Sequence, residues 1–336
     1  MTSIVLITFR VMIPHADHRF ASVPSEDYYG SMPSLPIHIP VLPDEVLDWL
    51  NPQPGQIIVD GTLGGGGHTR LIAERLASGG REAPGNSDVN AGFVLSLDRD
   101  PASIAAAEQN LAGLPVKVAQ ANFCDLGDVL DELHVLQVDG VLLDLGLSSD
   151  QLADEERGFS FDASGELDLR FNREEGESAA SLLARLPERE LADLIYQFGE
   201  ERFSRRISRR IFAERSERPI KTAAELAQLV RRCVPRSADK LDPATRTFQA
   251  LRIAVNHELE SLDLALARIP DRLRPGGRLA IISFHSLEDR RVKEAFRTDP
   301  RLKPLTKKPI RPTDDEAYRN PRSRSAKLRV AEKGVN

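Results

Sequence analysis

Four short, nearly continuous apolar runs occupy the first half of the chain: QIIVDG (56–61), FVLSLD (93–98), VKVAQANF (116–123) and VDGVLLDLG (138–146). None alternates polar with apolar residues, so each is expected to be a strand buried on both faces. Between them lie stretches with helical period. PDEVLDWLNP (43–52) reads as a short helix stopped by Asn-Pro. HTRLIAERLAS (68–78) places Leu71, Ile72 and Leu76 on one side. The second run leads into a helix with Asp100 as N-cap and Pro101 at its first position. Residues 79–92 have the composition of a loop.

From about residue 152 to 240 the pattern changes to polar helical stretches without a core strand. It then resumes: a single long amphipathic helix over 244–269, a buried strand in PGGRLAIISF (275–284), a helix in SLEDRRVKEAF, and a last antiparallel strand in AKLRVAEK (326–333). The expected fold is α/β: a mostly parallel, Rossmann-like sheet over 35–151 and 241–336, interrupted after its fourth strand by a helical insertion over 152–240. Residues 1–34 lack any period and read as a poorly ordered extension, and Met32 is an alternative start.

Composition adds limits. The 336 residues include 41% hydrophobic and 29% charged residues, the balance of a globular chain. No apolar run approaches the roughly 20 residues of a membrane span. The two cysteines, Cys124 and Cys233, are far apart, and the seven histidines show no ligand spacing. A reducing cytoplasm and no metal are the expectation. The net charge is −6, yet two basic stretches stand out. Residues 202–218 hold seven Arg against two Glu, and residues 301–336 hold eleven Lys/Arg against four acids. Arg205, Arg206, Arg209 and Arg210 are therefore candidates for holding nucleic-acid phosphates.

The candidate chemistry starts at DGTLGGGGHTR. A phosphate-binding loop would need Lys after the glycines, and a dinucleotide loop would need G-x-G-x-x-G; neither is present. A loop with so few Cβ atoms still suits a ligand lying on the backbone, and S-adenosylmethionine (SAM) is the remaining common ligand. Asp60 could face its cationic end. Asp98, ending the second strand, could accept both ribose hydroxyls. Phe123, ending the third, could lie on the adenine. Asp144, ending the fourth, sits where a methyl group would be presented.

The order of HIPVLPDEVL, DGTLGGGGHTRLI, LDRDP, DGVLLDLGLSSDQL, ERGFSF, LDLRF, FGEERF, PATRTFQALRIAVNHELE and GGRLAIISFHSLEDRRVK resembles the MraW family of ribosomal RNA small subunit methyltransferases. The likeness runs from about His38 to Val330. It departs at the extension, the 79–92 loop and the fourth glycine, Gly65. The resemblance implies SAM-dependent methylation of the exocyclic N4 of a cytidine (position 1402) in 16S rRNA of the small ribosomal subunit. It also implies cofactor contacts from Gly66, Gly67, His68, Asp98, Phe123, Asp144 and Gln151, and an RNA-recognising role for the insertion. Cytosine N4 is a weak nucleophile, so a carboxylate accepting from its amino group is expected. Asp144 is the candidate, with His285 and Ser283 as helpers. Methylation at C5 would use a cysteine nucleophile, for which Cys124 and Cys233 lack a suitable context. A methyltransferase for DNA or a small molecule, and a non-catalytic RNA-binding factor, are the rival readings. A monomer and a homodimer remain equally open.

Overall fold

The computed structural model describes residues 9–11, 39–78, 92–162, 164–235 and 241–335. Eight strands form one sheet: β1 Phe9–Val11, β2 Ile57–Asp60, β3 Phe93–Asp98, β4 Val116–Gln120, β5 Val138–Asp144, β6 Leu273–Ser283, β7 Leu302–Pro304 and β8 Lys327–Lys333. Their order is β1-β4-β3-β2-β5-β6-β8-β7. The central pairs are parallel, whereas β8 runs antiparallel to β6 and to β7. All four apolar runs of the first half are strands, as expected. The order reverses between β2 and β5, the point at which open α/β sheets bind ligands.

Successive strand residues face opposite sides, which explains why the runs are apolar throughout. Val59, Leu95, Leu97, Val141, Leu143 and Ile281 share one buried cluster with residues of α4 (Leu126–Glu132), α11 (Glu258–Arg272) and α12 (Ser286–Thr298). Ile58, Val94, Leu142 and Ile282 share the other with α1 (Pro43–Leu50), α2 (Gly67–Ala77) and α3 (Pro101–Asn110). Asp100 caps α3, its side chain accepting from Ala102 N at 3.0 Å.

The insertion holds α5 (Ser149–Ala153), α6 (Ala179–Arg185), α7 (Glu188–Gly199), α8 (Ser204–Glu217) and α9 (Ala223–Cys233). Among the described residues between 152 and 235 the only β pairing is an isolated bridge from Glu166 to Thr222. This unit has its own core, with Leu169, Leu183, Ile195, Ile207, Leu226 and Val230 buried together.

Two expectations are corrected here. The long helix over 244–269 is two helices, α10 (Thr245–Asn256) and α11, broken at His257 with φ 53°. Asn256 drives the break from one side, its amide donating to Leu169 O at 2.7 Å and its carbonyl accepting from Phe171 N at 2.7 Å. Arg252 and Glu258 then pair across it through two 2.8 Å bonds. Second, Phe248, Leu251 and Val255 of α10 pack into the insertion's core. The helical unit thus extends past residue 240 to the break at His257.

The extension departs from its reading at three residues: Phe9–Val11 pairs antiparallel with the outer edge of β4. Its other residues, and those at 79–91, lie outside the described residues. The remaining helix, α13 (Asp314–Arg319), runs into a 3₁₀ turn at Pro321–Ser325 ahead of β8.

Candidate active site

A cleft lies at the C-terminal edge of the sheet, where open α/β folds bind ligands. Its walls come from four strand ends of the parallel set: Gly61, Thr62 and Gly64 after β2, Asp98 and Arg99 after β3, Asn122 and Phe123 after β4, and Asp144 to Ser148 after β5. Gln151 and Phe171 of the helical unit, Asn256 and Glu258 at the helix break, Glu288 of α12 and Arg322 complete it.

The glycines divide into two groups. Gly61 and Gly64 line the cleft, and Gly64 N donates to Asp98 Oδ2 at 2.8 Å. A Cβ on Gly61 would stand 2.5 Å from Leu143 Cδ2 and 3.0 Å from Phe123 Cβ. Gly66 and Gly67 are not among the lining residues. Gly66 is the N-cap of α2 at φ 80°, packed near Ala107 and Leu111, and Gly67 is pressed on Pro40. Gly66 thereby supplies a left-handed turn at the start of α2, and Gly67 admits the close approach of Pro40.

Asp98 accepts from Gly64 N with one oxygen and from Asp100 N at 2.9 Å with the other. Each oxygen keeps capacity for a further donor. Burial pushes its carboxyl up to about 6, with Asp100 and Asp60 adding to the rise against the two backbone bonds. Asp60 does not face the cleft. It accepts from Thr62 N and Thr62 Oγ1, and from Thr69 Oγ1 at 2.7 Å. It folds the loop instead of meeting a ligand.

Asp144 is the most unusual group. Its backbone N donates to Thr62 Oγ1 at 2.7 Å, which ties the end of β5 to the loop after β2. Its Oδ1 is buried with no hydrogen-bond partner among the described residues. Its Oδ2 lies 3.7 Å from His68 Nε2. Burial raises its carboxyl to about 7; Arg322 opposes the rise, and Asp60 and Glu288 add to it. A buried carboxylate with a spare acceptor at a cleft's centre is a functional-site signature. His68 is buried beside Asp144.

Gln151 lines the cleft with its amide engaged. Its Oε1 accepts from Ser148 N at 3.1 Å, and its Nε2 donates to Asp100 Oδ2 at 3.1 Å. Arg157 also donates to Asp100, and to Phe171 O at 2.6 Å. Sequence reasoning missed Arg157, Phe171, Asn256, Glu288 and Arg322. Phe171, Asn256, Glu288 and Arg322 line the cleft from distant segments and Arg157 braces Asp100 beside it; the only hint was that they fall within ERGFSF, LDLRF, VNHELE and SLEDR or in the basic tail.

His285 is not among the cleft-lining residues, and Ser283 Oγ turns away to Lys327 O at 3.4 Å. His285 is the N-cap of α12, its Nδ1 accepting from Glu288 N at 3.4 Å. That bond leaves the proton of the neutral ring on Nε2, which stands 3.3 Å from Glu288 Oε1. Burial lowers the imidazole to about 4. Glu258, His285 and Glu288 are close enough to resemble a metal site. Glu258 is at the same time paired with Arg252. Glu288, which stands beside His285, does reach the cleft.

Cys124 is buried, its thiol pushed up to about 11 by burial and by Asp125. It is no nucleophile at neutral pH. On α8 the four arginines are exposed, and they differ. Arg209 lies 3.7 Å from Glu188 and Arg210 3.1 Å from Glu214, whereas Arg205 and Arg206 make no ion pair among the described residues.

The strand order, the reversal point and the acids at adjacent strand ends define a Rossmann-like α/β protein with its ligand cleft at the carboxyl edge of the sheet. More narrowly, the chain belongs to the MraW methylase family, which it matches over residues 36–334. It is 51% identical over 310 residues to the ribosomal RNA small subunit methyltransferase H of Rhodopirellula baltica, covering 90% of this chain and 94% of that one. It is 47% identical over 313 residues to the protein of the same name from Deinococcus radiodurans, covering 93% and 95%. Among solved structures, a putative rRNA methylase from Clostridium thermocellum aligns at 14% identity and a TM-score of 0.43. That alignment covers 88% of this chain and 100% of that one, and is too distant to carry an argument. Among the described residues no helix is long and apolar enough to cross a membrane.

Proposed function

We propose that this chain is a SAM-dependent methyltransferase that modifies the exocyclic N4 of a cytidine in 16S rRNA of the small ribosomal subunit, in the cytoplasm. Membership of a methylase family supports the reaction class, and the names of its relatives support the RNA. The observation that carries the atom specificity is Asp144: a buried carboxylate with an unpartnered Oδ1 beside a cleft that offers no nucleophilic thiol.

The residues fit SAM. Asp98 has acceptor capacity for two ribose hydroxyls, Phe123 offers a face to adenine, and Gly61 and Gly64 leave the backbone bare for the methionine portion. SAM supplies a methyl group already activated on a sulfonium. The protein has to align the acceptor and exclude water. Asp144 Oδ1 accepts from one amino hydrogen, drawing electron density toward N4 and stabilising the charge that grows there. The Thr62 bond at its backbone fixes the end of β5 that carries the acid, with His68 close beside it. Gly66, Gly67 and Gln151 act at one remove, by packing α2 and by holding Asp100.

The target base has to leave its stack to reach the cleft. The helical unit is the RNA-binding part, with the exposed arginines of α8 on phosphates. The test is transfer of labelled methyl from SAM to small subunits from cells lacking the enzyme, with the modified nucleotide mapped by mass spectrometry. Label on C5, or on protein, would sink the N4 reading.

A further inference from the structure

We propose that Arg322 is a positioning residue: the C-terminal segment delivers its guanidinium to the cleft as the counter-charge that favours the anionic form of Asp144. The inference rests on the reading of Asp144 given above.

Arg322 lies in the 3₁₀ turn between α13 and β8, more than a hundred residues beyond the end of β5, yet it lines the same cleft as Asp144. The turn is pinned on several sides. Asn320 Nδ2 donates to Ile39 O at 3.1 Å, Ser323 Oγ to Asn320 O at 2.8 Å, and Ala326 N to Ser323 O at 2.8 Å. Ser323 is fully buried. The guanidinium itself donates to Leu147 O, on the loop that leaves Asp144. A segment that only joined α13 to β8 would have no need to turn an arginine inward.

The charges around Asp144 explain the need. Asp60 from the end of β2 and Glu288 from α12 face it with like charge, and burial acts in the same direction. His68 from α2 is its nearest ring, at 3.7 Å. Arg322, which also feels Asp150, is the cation that opposes the acids. Methylation of an amino group has to release a proton. The N4 lone pair forms the new N–C bond, the C–S bonding pair goes to sulfur, and one N–H proton leaves. A carboxylate at Asp144 can take that proton and then pass it to water; a carboxylic acid cannot. Transfer consumes the donor's positive charge, so a fixed cation is what remains to help Asp144 shed the proton afterwards.

The experiment compares wild type, Arg322→Gln, which keeps a donor for Leu147 O, and Arg322→Lys, which keeps the charge. Carboxyl ¹³C NMR on the ligand-free proteins follows the titration of Asp144. Single-turnover transfer at saturating SAM gives the pH profile. In Arg322→Gln the Asp144 midpoint should move up by about one unit, the ordinary effect of losing an adjacent arginine. The acid limb of the rate profile should move with it, with near wild-type rates recovered at high pH. Arg322→Lys should restore most of both. An unmoved midpoint overturns the proposal, and so does a moved midpoint with an unmoved acid limb. If the wild type transfers no methyl to RNA at any pH, the reading of function fails, and the NMR titration still decides the counter-charge.

Discussion

Arg157, from the insertion, and Asp100, from the loop after β3, form a buried ion pair that joins the helical unit to the Asp98 end of the cleft. Arg157 also holds the carbonyls of Arg170 and Phe171, and Gln151 donates to the same Asp100 oxygen. Removing one partner of a buried pair leaves the other charge unmet, which costs about 3–5 kcal/mol. Arg157→Met should lower stability to urea by that order. Because Asp100 N also bonds Asp98 Oδ1, the change should weaken SAM binding measured by calorimetry. Unchanged SAM affinity in a folded variant would show that the pair is structural only.

Asp144→Asn should reduce single-turnover methyl transfer by about 10²–10³, the usual loss for one preorganised electrostatic contact. Stability should move the other way. The folded carboxyl titrates at about 7 against 3.8 in the unfolded chain, so the wild type loses stability as pH rises from about 4 through 7. Asn carries no such penalty. The variant should melt higher than wild type at pH 8 and alike at pH 4, with SAM absent. Equal melting at both values would mean that Asp144 is not disfavoured as an anion.

Asp98→Asn should weaken SAM binding by roughly 10–100-fold, as expected for losing charged hydrogen bonds, with transfer at saturating SAM little changed. Its carboxyl titrates near 6, so wild-type affinity should fall as pH drops below that value. Calorimetry across pH 5 to 8 checks both statements.

Neutralising Arg205 and Arg206 together should flatten the salt dependence of RNA binding, by about 0.7–0.9 in log–log slope for each phosphate no longer neutralised. Arg209 and Arg210 already have glutamates nearby, so the same change there should flatten it less. Equal effects from the two pairs would show that those glutamates give way to RNA.

The sheet was legible because strands covered on both faces must be apolar at every position, and Asp98 and Asp144 followed as strand ends, whereas Phe123 opens a 3₁₀ turn three residues beyond β4. The glycines were harder. Gly64 meets the cleft, Gly66 holds a left-handed turn and Gly67 admits Pro40, and all three needs remove the same Cβ. The break at His257 was hidden because α10 and α11 are each amphipathic, so the period runs on across it. Arg322 was seen only as one charge in a basic tail. Nothing local marks a residue whose partner lies near the end of β5.

The cleft is walled by both cores: Phe171 belongs to the helical unit, and Asp98 and Asp144 to the sheet. A ligand filling it is therefore linked to the docking of two units that each hold a core of their own. Local unfolding of the helices would expel it, and its binding would suppress that opening. At about a hundred times its dissociation constant such a ligand adds roughly 2.7 kcal/mol. Protease sites across α6 to α9 should then be shielded by SAM, although the ligand rests mainly on the sheet.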